Sequence, residues 1–136
     1  MILADSNFFI ALPRPHDRLN VRALKWSGTI REPIVTTEYI LWECVNFLSR
    51  PIDRDKAHFI VERMKTASTC ELILASPDLR DAGLRLHGAR PDKAWSLTDC
   101  ISFVVMKERS ITRALTFDSH FEQAGFEALL QHDPPQ

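Results

Sequence analysis

The side chains whose type and spacing best suit chemistry are four carboxylates: Asp5, Glu43, Asp99 and Asp118. Asp5 and Asp118 each follow a short apolar run of the kind that forms a buried strand. Asp99 stands in the first turn of a strongly apolar helical stretch, and Glu43 lies inside a helical stretch that follows a β-branched run. Carboxylates that cluster repel one another unless cations neutralise them. If the fold brings these four together, hard oxygen ligands without a His/Cys set predict a site for Mg²⁺ or Mn²⁺ rather than zinc.

Each of these acids also has a purely structural interpretation. Asp5 and Asp118 can cap the helical turns that follow them. Asp99 stands three residues after Ser96, which is the S-x-x-D spacing of a capping box at a helix N-terminus. Glu43 can simply be a solvated helical residue. Convergence of all four, rather than any single position, is therefore what would indicate a functional site.

The elements that must position these residues alternate in type along the chain. We predict strands at residues 1–4, 34–37, 72–75, 111–117 and 126–130 from apolar and β-branched runs. Helical spacing predicts helices at residues 7–12, 16–26, 38–48, 53–66, 79–88 and 97–109, with at most one turn at 121–124. This alternation predicts a three-layer α/β/α sandwich with a mainly parallel sheet of four to five strands. Sites in such sheets form beyond the carboxyl ends of the strands, where we expect Asp5 and Asp118.

Composition sets the frame for these expectations. The 136 residues, 45% hydrophobic and 26% charged, fit one globular domain, which we place at residues 1–131 with a disordered tail at 132–136. The net charge of −1 is not that of a strongly basic nucleic-acid binder, although a local basic patch would vanish in the sum. We expect a cytoplasmic protein without signal peptide or membrane span. Three cysteines without a C-x-x-C pair are interpreted as buried apolar residues in a reducing compartment: Cys44, Cys70 and Cys100.

Three segments of the chain resemble the PIN-domain family, and in particular the VapC-like toxins of bacterial toxin–antitoxin pairs. They read ILADSNFFIAL, TTEYILWECVNFLSR and WSLTDCISFVVMKERSITRALTFDSHFEQAGF, and together they extend from position 2 to 126. The third is the most specific, because a T-D-C helix followed by a T-F-D-x-H-F strand end is typical of one subgroup. The resemblance implies a PIN-like fold and a metal-dependent endoribonuclease.

The resemblance also implies roles for individual residues. Asp5 and Asp99 would be the central ligands of Mg²⁺ or Mn²⁺, with Glu43 close by and Asp118 bound directly or through water. Hydrolysis in this family uses water activated by a divalent ion and leaves a 5′-phosphate and a 3′-hydroxyl. Four further polar residues within the motifs would orient the carboxylates, or would serve only as turn, cap and surface residues: Ser6, Asn46, Ser96 and Thr98.

Partners follow from the same resemblance: an RNA substrate, a small antitoxin protein that covers the active site, and a second copy in a homodimer. Trp42 lies off the apolar stripe of its helix, so it suits either an interface or packing against a neighbouring helix. Arg18, Arg22 and Lys25 share one side of the predicted second helix and either contact RNA phosphates or form a solvated face. His120 is interpreted as a packing or surface residue rather than a phosphate contact, and is left out of the catalytic set.

Three other interpretations stay open. A catalytically inactive PIN-like module that binds RNA or protein would have the same fold, but it would have no reason to retain all four acids. A phosphatase-like enzyme with an Asp nucleophile, or a receiver-like signalling domain, would need an acid near Asp5, and position 7 is Asn.

Overall fold

A computed structural model describes all residues from 1 to 136. Five strands are present: β1 Ile2–Ala4, β2 Ile34–Thr37, β3 Cys70–Ile73, β4 Arg113–Leu115 and β5 Glu127–Ala128. Seven α-helices accompany them: α1 Ser6–Ala11, α2 Asn20–Thr29, α3 Glu38–Phe47, α4 Arg54–Thr66, α5 Pro77–Ala89, α6 Leu97–Glu108 and α7 Ser119–Gln123. A 3₁₀ turn, Leu129–Gln131, follows the last strand. The predicted α/β sandwich is confirmed.

The sheet is parallel throughout, with the strand order β3-β2-β1-β4-β5. Strand β1 is central and fully buried, and it pairs with β2 through Leu3 and Val35 and with β4 through Leu3 and Ala114. The chain proceeds from β1 towards β3 and then crosses back to add β4 on the other side. The carboxyl end of β1 therefore lies at the point where strand order reverses, which is where open α/β sheets bind ligands.

The helices form two groups, one for each face of the sheet. The first four contact one another through the pairs α1–α2, α1–α3, α1–α4 and α3–α4, whereas α5 packs on α6 and α6 on α7. Right-handed crossovers require this division, because the chain moves across the sheet in opposite directions before and after β3. As a result, a residue on α3 and a residue at the start of α6 approach the same edge of the sheet from opposite faces.

Local sequence explains why strand and helix meet so sharply at this edge. Thr37 ends β2, and its hydroxyl accepts a hydrogen bond from the backbone N–H of Ile40, so α3 begins at the next residue. Asp5 does the same after β1, its carboxylate accepting from the backbone N–H of Ser6. Glu43 consequently lies in the second turn of a helix that starts at the carboxyl end of a strand.

Several predicted boundaries were wrong, and the structure explains the starts of three elements. Helix α2 begins at Asn20 rather than at 16, because the Asp17 carboxylate accepts from the N–H of Leu19 and holds a turn there. Strand β3 begins at Cys70, two residues early, in register with Ile34 of β2. Strand β4 begins at residue 113, because the N–H of Ile111 bonds to Met106 at the end of α6.

A single apolar cluster of 28 buried residues fills the space between sheet and helices. Cys44 and Cys100 are buried in the interior as expected, Cys70 is half-buried, and all three are free thiols. Beyond residue 131 the chain has no regular secondary structure, but the carbonyl of His132 accepts from the Trp26 indole at 2.8 Å. None of the helices combines the length and the apolar composition that crossing a membrane requires.

Candidate metal centre

Asp5 is held at the switch point by hydrogen bonds to both of its oxygens. Its Oδ1 accepts from the N–H of Ser6 at 2.8 Å, and its Oδ2 accepts from the hydroxyl of Thr116 at 2.9 Å. Only 4% of the residue is exposed. The Thr116 hydroxyl also accepts from the N–H of Asp118 at 3.0 Å and from the Asn7 amide at 3.3 Å. One hydroxyl thus links the ends of β1 and β4.

Glu43 reaches the same edge from α3. Its Oε1 accepts a hydrogen bond from the hydroxyl of Ser6, the residue next to Asp5. The side chain is half-buried rather than freely solvated. Asp5, Glu43, Ser6 and Thr116 are called the inner half of the site below.

Asp99 and Asp118 approach from the other helical layer. Asp99 forms the predicted capping box with Ser96: its backbone N–H donates to the Ser96 hydroxyl at 3.0 Å, and its Oδ2 accepts from the Ser96 N–H at 3.2 Å. Asp118 caps α7, its Oδ1 accepting from the N–H of His120 at 2.9 Å. Asp99 and Asp118 therefore cap helices, as the structural interpretation predicted, and also lie close to the other carboxylates.

His120 lies between these two carboxylates. Its Nδ1 is 3.1 Å from Asp99 Oδ2 and 3.3 Å from Asp118 Oδ1. One ligand atom from each of the three residues falls within a group less than 4.8 Å across, the spread that one metal ion can span. Asp99, Asp118 and His120 are called the open half, because the side chains of Asp118 and His120 are 32% and 28% exposed.

Charge in the site follows from burial and crowding. Burial, reinforced by the nearby charges of Glu43 and Asp99, raises the pKa of Asp5 to about 7, although the bonds from Ser6 and Thr116 oppose the shift. Burial is also the main cause of a raised pKa at Glu43 and at Asp99, with Asp118 adding repulsion to both. The charges of Glu43 and Asp99 therefore reach Asp5, and the charge of Asp118 reaches both Glu43 and Asp99.

The donor set fits a divalent cation. No Lys or Arg forms a salt bridge with any of the four acids, whose one potentially cationic neighbour is His120. Oxygen atoms from Asp and Glu are the ligands that Mg²⁺ and Mn²⁺ prefer, and a cation would stabilise the charged carboxylates against both the burial and the repulsion that raise the pKa values of Asp5, Glu43 and Asp99. Asp5, Glu43, Asp99 and Asp118 are the residues that would hold it.

The residues proposed to orient the carboxylates divide into two pairs. Ser6 and Ser96 hydrogen-bond to Glu43 and Asp99 as described above. No hydrogen bond joins the side chain of Thr98 or of the exposed Asn46 to a carboxylate of the site. Their functional roles stay predictions.

Sequence reasoning missed Thr116 and misjudged the position of His120. Thr116 lies in the T-F-D-x-H-F segment, which marks it as a motif residue but not as the partner of Asp5, 111 positions away. His120 was interpreted as a packing residue, although its distance of two residues from Asp118 kept it near the site. Both contacts depend on the pairing of β1 with β4 and of α6 with α7.

The basic residues near α2 do not act as one free face. Arg22 and Lys25 both pair with Asp133, at 3.0 and 3.6 Å. Arg18 lies before the helix and stacks over the ring of Phe117, 4.6 Å from its centroid. Because Phe117 directly precedes Asp118, Arg18 is the cation of this group that lies beside the site.

The molecule is thus an α/β domain with carboxylates gathered at the carboxyl ends of β1 and β4, and comparison with known proteins identifies its family. The model of the PIN domain matches residues 2–127, so the chain belongs to the PIN-domain family. It is 24% identical over 126 residues to the 23S rRNA-specific endonuclease VapC20 of Mycobacterium tuberculosis, which covers 93% of this chain and 95% of that protein. The same relative matches from two strains of that organism.

The fold is likewise similar to a solved structure. The crystal structure of M. tuberculosis VapC20, described as a sarcin-ricin loop cleaving toxin, superposes with a TM-score of 0.86 at 22% identity and covers 93% of this chain and 96% of that one. At this identity the superposition shows that the two chains share their fold. The family resemblance and the PIN-like fold predicted from the sequence are confirmed.

Proposed function

We propose that this PIN domain is a metal-dependent endoribonuclease, the toxin of a toxin–antitoxin pair. The observation that carries the proposal is the convergence of four carboxylates at the switch point of the sheet with no Lys or Arg paired to them. A protein that only bound RNA would gain nothing from this arrangement, because clustered anions repel phosphate as well as one another.

The chain's own residues prepare the site for its task. Thr116 and the N–H of Ser6 fix both oxygens of Asp5, and the capping box fixes Asp99, so neither carboxylate loses much rotational freedom when it binds an ion. The Ser6 hydroxyl fixes Glu43 in the same way. A divalent cation, which we propose to be Mg²⁺ or Mn²⁺, would supply water activation and would stabilise charge on the scissile phosphate.

RNA cleavage by the purified protein tests the proposal. We expect cleavage with Mg²⁺ or Mn²⁺, no cleavage in EDTA, and products that carry a 5′-phosphate and a 3′-hydroxyl. Asp81→Asn is the matched control, because Asp81 is exposed and pairs only with Arg80. Cleavage that persists in EDTA, or products with a 2′,3′-cyclic phosphate, would refute the metal mechanism.

The first substrate to test is 23S ribosomal RNA, since the similar VapC20 is named as an endonuclease specific for it. Transfer RNA and messenger RNA belong in the same assay. Arg18 on Phe117 supplies a cation next to Asp118 at which an RNA phosphate can bind. We assign the protein to the cytoplasm, where these RNAs are found.

We propose that the antitoxin binds in an apolar cavity of about 640 Å³. Its walls come mainly from α1, α2 and α4 and include the exposed Leu24 and Phe59, and its charged lining residues are Arg31, Arg63 and Glu32, with a net positive charge. This chemistry suits an apolar segment with acidic flanks. Phe59→Asp should prevent a co-expressed antitoxin from suppressing growth arrest, whereas Phe47→Asp, outside the cavity, should not.

A homodimer is the second proposed assembly. Trp42 is 48% exposed on α3 and its ring packs edge-on against Tyr39, so it presents a rigid apolar surface one residue from Glu43. Sedimentation analysis should give a dimer for the wild type and a monomer for Trp42→Asp. A wild-type monomer at micromolar concentration would refute this assembly.

A further inference from the structure

The ring of His120 faces two carboxylates with a single nitrogen. Nδ1 lies 3.1 Å from Asp99 Oδ2 and 3.3 Å from Asp118 Oδ1. The same Asp118 oxygen accepts from the backbone N–H of His120, so backbone and side chain are anchored to one carboxylate. The same Asp99 oxygen accepts from the N–H of Ser96. The ring is thus fixed from two elements, α6 and the start of α7.

Hydrogen bonding alone accounts poorly for this position. An imidazole Nδ1 carries either one proton or one lone pair, so it can make one well-directed bond to one oxygen. Here two carboxylate oxygens compete for it at nearly equal distance. If Nδ1 carries a proton, that proton is shared between two acceptors. If Nδ1 carries a lone pair, the lone pair faces two carboxylate oxygens.

A cation resolves this conflict, because it lets all three atoms direct lone pairs at one point. Neighbouring ligands of an octahedral ion with bonds of about 2.1 Å are separated by about 3 Å. The two distances from Nδ1 match such edges, and one ligand atom from each of the three residues lies within 4.8 Å of the other two. The side chains of Asp118 and His120 are partly exposed, so an ion can reach this group from solvent.

We infer that His120 is a ligand of the metal centre, donating Nδ1 beside Asp99 and Asp118 and giving the open half a mixed nitrogen and oxygen donor set. The inference rests on the metal dependence in the proposed function. Imidazole nitrogen binds first-row transition metals better than it binds Mg²⁺, so His120 favours Mn²⁺ over Mg²⁺ at this site. The metal preference of the protein would then be set by a residue outside its carboxylates.

The test is Mn²⁺ binding by the full chain, followed by electron paramagnetic resonance and by calorimetry, without RNA. His120→Gln is the main variant, because glutamine keeps a hydrogen-bonding group and removes the ring nitrogen. His16→Gln is the matched control, since His16 is exposed and makes no side-chain hydrogen bond. Circular dichroism and the unfolding midpoint establish that each variant is folded.

We expect nitrogen hyperfine coupling on Mn²⁺ in the wild type and in His16→Gln, and its loss in His120→Gln. The Mn²⁺ dissociation constant of His120→Gln should rise about tenfold or more, and that for Mg²⁺ by about threefold or less. Mn²⁺ bound to the wild type without nitrogen coupling would overturn the inference, and so would equal Mn²⁺ affinity in His120→Gln.

Two outcomes separate this inference from the function on which it rests. Nitrogen coupling in a protein that cleaves no RNA would leave His120 as a ligand and refute the nuclease. If RNA cleavage depends on Mn²⁺ but the bound Mn²⁺ shows no nitrogen coupling, the nuclease activity stands and the role of His120 is refuted. A wild type that binds no Mn²⁺ would refute both the ligand and the metal dependence.

Discussion

The inner and open halves of the site use the same kind of side chain in opposite environments. In the inner half, Asp5 is buried, both its oxygens accept hydrogen bonds from the chain, and its pKa is raised to about 7. In the open half, Asp118 is partly exposed, and Asp99 and Asp118 share His120. Asp5 is fixed by polar neighbours just beyond the ends of β1 and β4, whereas Asp99 and Asp118 both lie beside the ring nitrogen of His120. The comparison shows that the strand ends position Asp5 and Asp118, whereas the packing of the helices around them determines how far each carboxylate is exposed to solvent and to an ion.

The largest effect we predict is the loss of stabilisation by Mn²⁺ when a carboxylate of the open half is removed. At about 100 times its dissociation constant, Mn²⁺ should stabilise the wild type by about 2.7 kcal/mol. Asp99→Asn should lose nearly all of this stabilisation, because it removes the open-half carboxylate whose charge also reaches Asp5 and Glu43. Urea unfolding with and without Mn²⁺ measures this stabilisation. If Mn²⁺ stabilises Asp99→Asn as much as the control Asp81→Asn, Asp99 is not a metal ligand.

The next effect is a pH dependence of stability in the metal-free protein, to which Asp5 of the inner half contributes. The folded state keeps a proton on Asp5 up to about pH 7, whereas the unfolded chain releases it near the ordinary value of 3.8. Stability therefore falls as pH rises from about 4 to about 7 and levels off above that range. Ionisation of Asp5 should therefore lower the free energy of unfolding by about 2 kcal/mol between about pH 5.5 and about pH 8.

Asp5→Asn removes this contribution, so its free energy of unfolding should depend less steeply on pH than that of the wild type. Urea titrations in EDTA at several pH values measure the two slopes. Asp81→Asn should keep the wild-type slope. If Asp5→Asn keeps it too, burial does not hold the proton on Asp5.

A smaller effect comes from the hydroxyl that links β1 to β4. Thr116→Val removes the proton donated to Asp5 at nearly constant volume, so we expect about tenfold weaker Mn²⁺ binding, near the low end of losses for residues that orient metal ligands. Thr116→Ser restores the hydroxyl and should restore affinity. Calorimetry that finds valine and threonine equal would show that Asp5 needs no such support.

The smallest effect concerns RNA beside the open half. Arg18→Ala should weaken RNA binding about threefold and lower the slope of log affinity against log salt by about 1, because one phosphate contact is lost. Arg22→Ala is the matched control, since Arg22 is already paired with Asp133. Binding is measured in the Asp99→Asn background, where RNA stays intact. An unchanged salt slope for Arg18→Ala would place the RNA elsewhere.

Most of the fold was predictable from local pattern. The β-branched run at 34–37 and the threonine that ends it give both the bounds of β2 and the start of α3. The carboxylates were predictable as a group, because Asp5 and Asp118 follow strands, Asp99 opens a helix, and Glu43 lies on a helix that starts at a strand end. Where local signals competed, prediction was wrong: the Asp17 turn delays α2, and the end of α6 takes the N–H of Ile111 from β4.

The partners of the carboxylates were harder to predict. The contact between Thr116 and Asp5 depends on strand register, and that between His120 and Asp99 depends on how α7 packs against α6. No spacing in the sequence encodes either contact. The motif residues Asn46 and Thr98 show the converse, since their place in a motif does not bring them into hydrogen bonding with the site.

The central claim is that both halves serve one hydrolytic metal centre, and RNA cleavage by Asp5→Asn and Asp99→Asn beside the wild type tests it most directly. Each variant is first shown to be folded, and cleavage is measured with Mn²⁺, with Mg²⁺ and in EDTA. We predict metal-dependent cleavage by the wild type and by Asp81→Asn, with a loss on the order of a thousandfold or more in each of the other two variants. Cleavage that survives either Asp5→Asn or Asp99→Asn would contradict the account, because one half would then be dispensable.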